Sequence, residues 1–177
     1  MRGPGSARCP PYELSFNREH RMTNEDFMQR ALDLALECVR ANRGGPFGAV
    51  IVRDGAIVAE GCNEVTSSCD PTAHAEVVAI RRACAKFGTF HLSDCEIYAS
   101  CEPCPMCLGA IYWARFRALY YANTREEAAA AGFDDELIYR EMPLAPATRK
   151  IPGVLLRTPH AHVPFAEWAA KPDKIRY

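Results

Sequence analysis

Two short segments, His74-Ala75-Glu76 and Pro103-Cys104-Pro105-Met106-Cys107, each stand before an apolar stretch with helical spacing. That pairing constrains the fold more than anything else in the chain. A helix N-terminus favours negative charge, so thiols placed there ionise more readily. The spacing of Cys104 and Cys107 lets two thiolates at one helix start face a single ion. His74, at another helix start, supplies a third donor. Such donors suit tetrahedral zinc, one ion per chain, and three protein ligands leave its fourth position open, as in catalytic sites. Zinc brings the pKa of a water there towards ~7, so the expected nucleophile is a zinc-bound hydroxide. Glu76, two residues beyond His74, points at the same place without having to be a ligand. It is the natural shuttle for a proton from that water to a leaving group.

Either segment alone is a weak signal, since cysteines are often only small buried hydrophobes. Together and in this order they are a strong one. Cys101 extends the run to Cys-x-x-Cys-x-x-Cys, as in iron–sulfur proteins, but Ile111 stands where the fourth cysteine would be. Cys101 therefore reads as a strand-end residue beneath the site. Cys38 and Cys84 fall on helix faces, and Cys9, Cys62, Cys69 and Cys95 have no metal spacing.

The rest of the chain alternates strands and helices. Thr23 is a candidate N-cap, with Glu25 and Asp26 in the first turn and Phe27, Ala31, Leu34 and Cys38 at helical spacing. Gly44, Gly45 and Pro46 stop that helix. Apolar runs at 49–52 and 57–59 flank Asp54-Gly55, a hairpin signal. A helix over 74–87, a strand over 95–100, a helix over 104–113 and a strand over 118–122 follow. A helical turn or two spans 124–131 and ends at Gly132, with a possible strand at 154–156 and a short helix at 165–170. This order predicts an α/β layered fold with a mixed sheet. Residues 1–21, rich in Pro and Gly and without periodicity, read as a disordered leader, and 22–177 as one domain, with Met22 a candidate natural start.

Composition narrows the function. The 177 residues are 49% hydrophobic with net charge −1, lacking the basic excess of a dedicated nucleic-acid binder and favouring a small-molecule substrate. No stretch reaches the ~18 apolar residues of a membrane span. The N-terminus has no apolar signal region, and the 9 cysteines are odd in number. Cytosolic thiols and a cytoplasmic protein are the expectation.

The His-x-Glu and Pro-Cys-x-x-Cys pair resembles that of the zinc-dependent nucleobase deaminases. The chain after Met22 is similar to the purine branch of the cytidine-deaminase-like superfamily, and within it to the small bacterial guanine deaminases. The likeness is carried by 44–50 (Gly-Gly-Pro-Phe-Gly-Ala-Val), 70–76 (Asp-Pro-Thr-Ala-His-Ala-Glu) and 100–111, which contains both metal cysteines. Gly132-Phe133-Asp134-Asp135 and Tyr177 add to it. The resemblance implies a three-layer α/β/α sandwich around a five-stranded mixed sheet. It implies zinc on His74, Cys104 and Cys107, with Glu76 as shuttle and Asp135 beside it in catalysis. It places Asn63, Phe47, Trp113, Asp135 and Tyr177 around the base, under a C-terminal tail that covers the site and is sometimes exchanged between the subunits of a homodimer. The implied reaction is hydrolysis of guanine to xanthine and ammonia.

Physical logic supports that base. Guanine presents a ring N–H and an amino group side by side, and an ionised Asp135 only accepts. Asn63 can donate and accept, and Phe47 and Trp113 offer stacking faces, though either could simply be core. Three readings stay open beside it. Guanosine deaminase shares the motifs. A tRNA adenosine deaminase would need clustered cations, of which Arg81, Arg82 and Lys86 form a modest patch. A non-catalytic zinc module would have no use for Glu76.

Overall fold

The computed structural model describes residues 22–176; the expected leader and Tyr177 lie outside the described residues. Helix α1 (Asn24–Arg40) begins as expected at Thr23. The Thr23 hydroxyl accepts from the Asp26 N–H, and the Asp26 carboxylate accepts from the Thr23 N–H at 2.7 Å, a reciprocal cap. Its apolar stripe (Phe27, Ala31, Leu34, Ala35 and Cys38) is buried.

Strands β1 (Gly48–Arg53) and β2 (Ala56–Cys62) form the expected antiparallel hairpin. Asp54 and Gly55 both adopt left-handed backbone, φ 54° and 77°, as a two-residue turn matched to strand twist requires. β1 is buried on both faces. Val50 and Val52 pack with Phe27, Leu34 and Tyr98 under α1. Ala49 and Ile51 pack on the other side with Ala75 and Ala79 of α3 (Ala75–Phe87) and Ile111 of α4 (Pro105–Ala114). Helices on both faces give the three-layer α/β/α sandwich.

The sheet order is β2-β1-β3-β4, with β3 at Cys95–Cys101 and β4 at Ala118–Asn123. β1 runs antiparallel to β2 and β3, and β3 is parallel to β4, so the sheet is mixed. The described residues form four strands, not the five expected. The apolar run 154–156 finds no ladder: Val154, Leu155 and Leu156 are 75%, 78% and 85% exposed. Its composition suits a strand, but nothing among the described residues pairs with it. Helix α2 (Val65–Ser68) and a 3-10 turn at Pro146–Thr148 had no sequence signal, whereas α7 (Val163–Ala170) lies close to the expected 165–170.

This topology gathers the functional segments. Because β2, β3 and β4 all run opposite to β1, their C-terminal ends share one edge with the start of β1. Phe47, Asn63, the loop to Cys104 and the entry to α5 (Arg125–Ala130) meet there. Gly61 brings α3 down onto the sheet: a Cβ there would lie 2.2 Å from the Ala75 carbonyl and 2.6 Å from the Ala79 nitrogen. Any side chain at this position would push His74 and Glu76 away from the edge.

Candidate metal centre and active site

His74 is the N-cap residue of α3, and Cys104 that of α4, with Pro105 at the first helical positions. Proline suits that place, where its missing N–H is no loss. Cys107 sits one turn further in and is fully buried. His74 Nδ1 lies 3.5 Å from both the Cys104 and the Cys107 sulfur, and the three donor atoms fall within 4.8 Å of one another. Tetrahedral zinc, with bonds of ~2.3 Å to sulfur and ~2.0 Å to nitrogen, requires sulfur–nitrogen edges of about 3.5 Å. The donor set therefore fits zinc.

The protons in this cluster are already unevenly held. The neighbouring Cys107, with help from His74, lowers the Cys104 pKa to about 4. The same interaction, together with burial, pushes Cys107 up. His74 is raised chiefly by its bond to Cys104. A cation bound here takes the deprotonated donors and displaces their protons. Glu76 is 8% exposed and accepts from the Cys107 sulfur at 3.4 Å. Burial raises its carboxyl pKa, which suits a group that must take up and release a proton near neutrality.

Above these groups lies a cavity of about 410 Å³, lined by Phe47, Asn63, His74, Glu76 and Asp135 among others. That volume falls within the ~300–1,000 Å³ of small-molecule sites. Asn63 is pinned on nearly every side. Its N–H donates to the Phe47 carbonyl at 3.0 Å, its carbonyl accepts from the Cys38 thiol, and its Oδ1 accepts from the Gly45 and Val65 N–H groups at 3.2 Å each. A Cβ at Gly44 would strike its carbonyl and Oδ1 at 2.3 and 2.4 Å. With Oδ1 committed, Nδ2 remains to meet a ligand, so Asn63 offers a donor and not the donor–acceptor pair expected from its type.

Asp135 precedes helix α6 (Glu136–Glu141). Burial raises its carboxyl pKa, the Cys104 charge adds to this, and Arg125 opposes it. Trp113 lies elsewhere. It is 68% exposed and borders a separate groove with Phe165 and Trp168 of the C-terminal segment. Cys107, Ile111 and Ala114 form the buried face of α4, and two residues past Ile111 means roughly 200° around the helix. The second aromatic beside the cavity is instead Phe133, edge-on to Phe47 with centroids 5.0 Å apart at 86°. Phe133 belonged to a motif already noted, whereas Arg125, which lines the cavity together with Glu102, had no signal in the sequence. No tail residue of 139–176 lines it.

The cationic patch on α3 is committed internally. Arg81 pairs with Asp70 at 3.3 Å, Arg82 with Glu64 at 2.8 Å, and Lys86 donates to the Val58 carbonyl at 3.1 Å. Both arginines of the patch are thus paired with carboxylates, and Lys86 keeps an uncompensated charge.

With two thiols and an imidazole gathered around one point, next to a buried carboxylate and an aromatic cleft, the chain has the parts of a zinc-dependent hydrolytic site. It belongs to the cytidine and deoxycytidylate deaminase family, whose zinc-binding region matches residues 21–123. The chain is 54% identical over 156 residues to the guanine deaminase of Bacillus subtilis (strain 168), covering 88% of this chain and 100% of that protein. The X-ray structure of guanine deaminase from Bacillus subtilis superposes with a TM-score of 0.87 over 88% of this chain and 99% of that one. A guanine deaminase from Nitrosomonas europaea is 34% identical with a TM-score of 0.62, covering 76% and 79% of the two chains. The tRNA-specific adenosine deaminase of Aquifex aeolicus is 40% identical over 103 residues, 57% of this chain and 66% of that protein.

Proposed function

We propose that this chain hydrolyses guanine to xanthine and ammonia, with His74, Cys104 and Cys107 holding one zinc ion. The observation that carries the reading is a single cavity lined by His74 and Cys104 of the three-donor cluster, by Glu76 and by Asp135. Zinc, when bound, supplies a water acidic enough to attack near neutral pH. Glu76, buried within reach of the donors, takes up the proton of the attacking water and delivers it to the departing amine. Asp135 accepts from the ring N–H and the amino group on one edge of the base. Asn63 Nδ2 donates to an acceptor elsewhere on the ring, and Phe47 packs against its face. The similarity to guanine deaminases over nearly the whole chain supports the base assignment.

The C-terminal segment supports a pair of subunits. Ile151, Leu155, Leu156 and Phe165 are 78% exposed or more. Burial of such side chains is worth about 1.5–3 kcal/mol each, so the segment calls for a covering surface. A homodimer in which each tail, ending at Tyr177, covers the partner's cavity accounts for that exposure. Eight free cysteines among the described residues suit a reducing, cytoplasmic setting.

The reading is tested on zinc-loaded protein by following xanthine and ammonia from guanine, before and after chelation. Turnover lost on chelation and restored by zinc supports it. Metal-loaded protein that yields no xanthine refutes it.

A further inference from the structure

Helices α5 and α6 contain no buried residue, yet the loop between them sets Asp134 and Asp135 against the cavity. A segment without a buried apolar face is not held by core packing, so its place depends on particular contacts. One is the Phe133–Phe47 ring pair at the start of the loop. The other is Arg125, the first residue of α5. Its Nε donates to Glu126 within α5 at 3.2 Å, its Nη2 lies 3.3 Å from a Glu136 carboxylate oxygen, and its guanidinium carbon stands 4.4 Å above the Tyr139 ring. Its own backbone N–H donates to Glu102 at 3.3 Å, tying the clamp to the loop that follows β3.

We propose that Arg125 is a positioning residue for base recognition: it clamps α6 onto the start of α5 and so holds Asp135, one residue before α6, in place over the cavity. This rests on the reading that Asp135 receives the base. The clamp is specific to arginine. Its flat guanidinium can lie on the Tyr139 ring while its edge meets Glu136, a combination that a lysine ammonium does not reproduce. Glu136 and Tyr139 do not line the cavity, so they affect the base only through this clamp.

The experiment measures kcat and KM for guanine on zinc-loaded Arg125→Ala, Arg125→Lys, Glu136→Gln and the Arg125→Ala/Glu136→Gln double variant, with zinc content and melting temperature checked for each. Arg125→Ala is expected to raise KM about tenfold, the low end of losing one hydrogen bond to a charged group, with kcat nearly unchanged. Arg125→Lys recovers little of this. Glu136→Gln raises KM about threefold, and the double variant resembles Arg125→Ala alone, because both act through one contact. A wild-type KM in Arg125→Ala overturns the proposal. So does a neutral Glu136→Gln beside an impaired Arg125→Ala, which would put Arg125 on the substrate itself. Wild-type turnover of guanine decides the functional reading separately, because the proposal is read only from ratios to the wild type.

Discussion

Replacing Asn63 by Asp separates the two jobs of its side chain. Oδ1 accepts from the Gly45 and Val65 N–H groups, and a carboxylate oxygen keeps both bonds. The Nδ2 donor becomes an acceptor, which faces an acceptor on the base without a hydrogen. The loss of that bond should lower kcat/KM about 10–100-fold, the ~1.5–3 kcal/mol of a buried polar contact turned unfavourable. Asn63→Ala differs in kind: it also strands the two N–H groups, at ~1 kcal/mol or more each. About 2 kcal/mol in a domain of this size lowers Tm by roughly 4–8 °C. Thermal melts and steady-state xanthine formation on the same preparations give both readouts. At a pH that protonates the new carboxyl, and so removes the cost of burying its charge, Asn63→Asp should melt well above Asn63→Ala, while both lose activity. If the two melt together there, the amide oxygen is not the atom held by Gly45 and Val65, and the argument for Nδ2 facing the base falls.

Other substitutions probe the remaining parts. Glu76→Ala should retain one zinc per chain by metal analysis and lose about 10²–10⁴ in kcat, and loss of the metal would contradict a shuttle that is not a ligand. Removing the residues after Lys171 should raise KM for guanine severalfold if the tail covers a cavity, and unchanged kinetics would reject that cover. Glu60, which grips Arg30 through bonds of 2.8 and 2.9 Å, has its carboxyl pKa lowered chiefly by that pairing. A carboxylate lowered on folding adds stability above its unfolded pKa, ~4.3, and loses it as pH falls through the folded value. Glu60→Gln should therefore cost ~0.2–1 kcal/mol at pH 7, the range for half-exposed pairs, and almost nothing once both states are protonated at lower pH. A deficit that persists in acid would assign the effect to packing.

Features with a local cause were legible in the sequence. The Thr23 cap, the Asp54-Gly55 turn and the helix starts at His74 and Cys104 each follow from the chemistry of a few adjacent residues, and each lies where that chemistry puts it. Features that depend on distant partners were not. The run 154–156 has the composition of a strand but no strand partner among the described residues. Trp113 was placed at the base by the family resemblance and by its aromatic face, whereas helical rotation turns it outward. Arg125 gave no signal in the sequence because only the fold brings Glu136 and Tyr139 to it. The metal donors were readable as a set because two helix starts with complementary ligands leave few other ways to satisfy them.

The most direct test of the central claim is a substrate panel on the zinc-loaded protein: guanine, guanosine, adenine, adenosine, cytosine and an adenosine-containing anticodon stem-loop, each followed by chromatography. Xanthine from guanine, with kcat/KM at least about a hundredfold above every other substrate, is the expected result. Xanthosine from guanosine at comparable efficiency, inosine in the RNA, or no product from metal-loaded protein would contradict it.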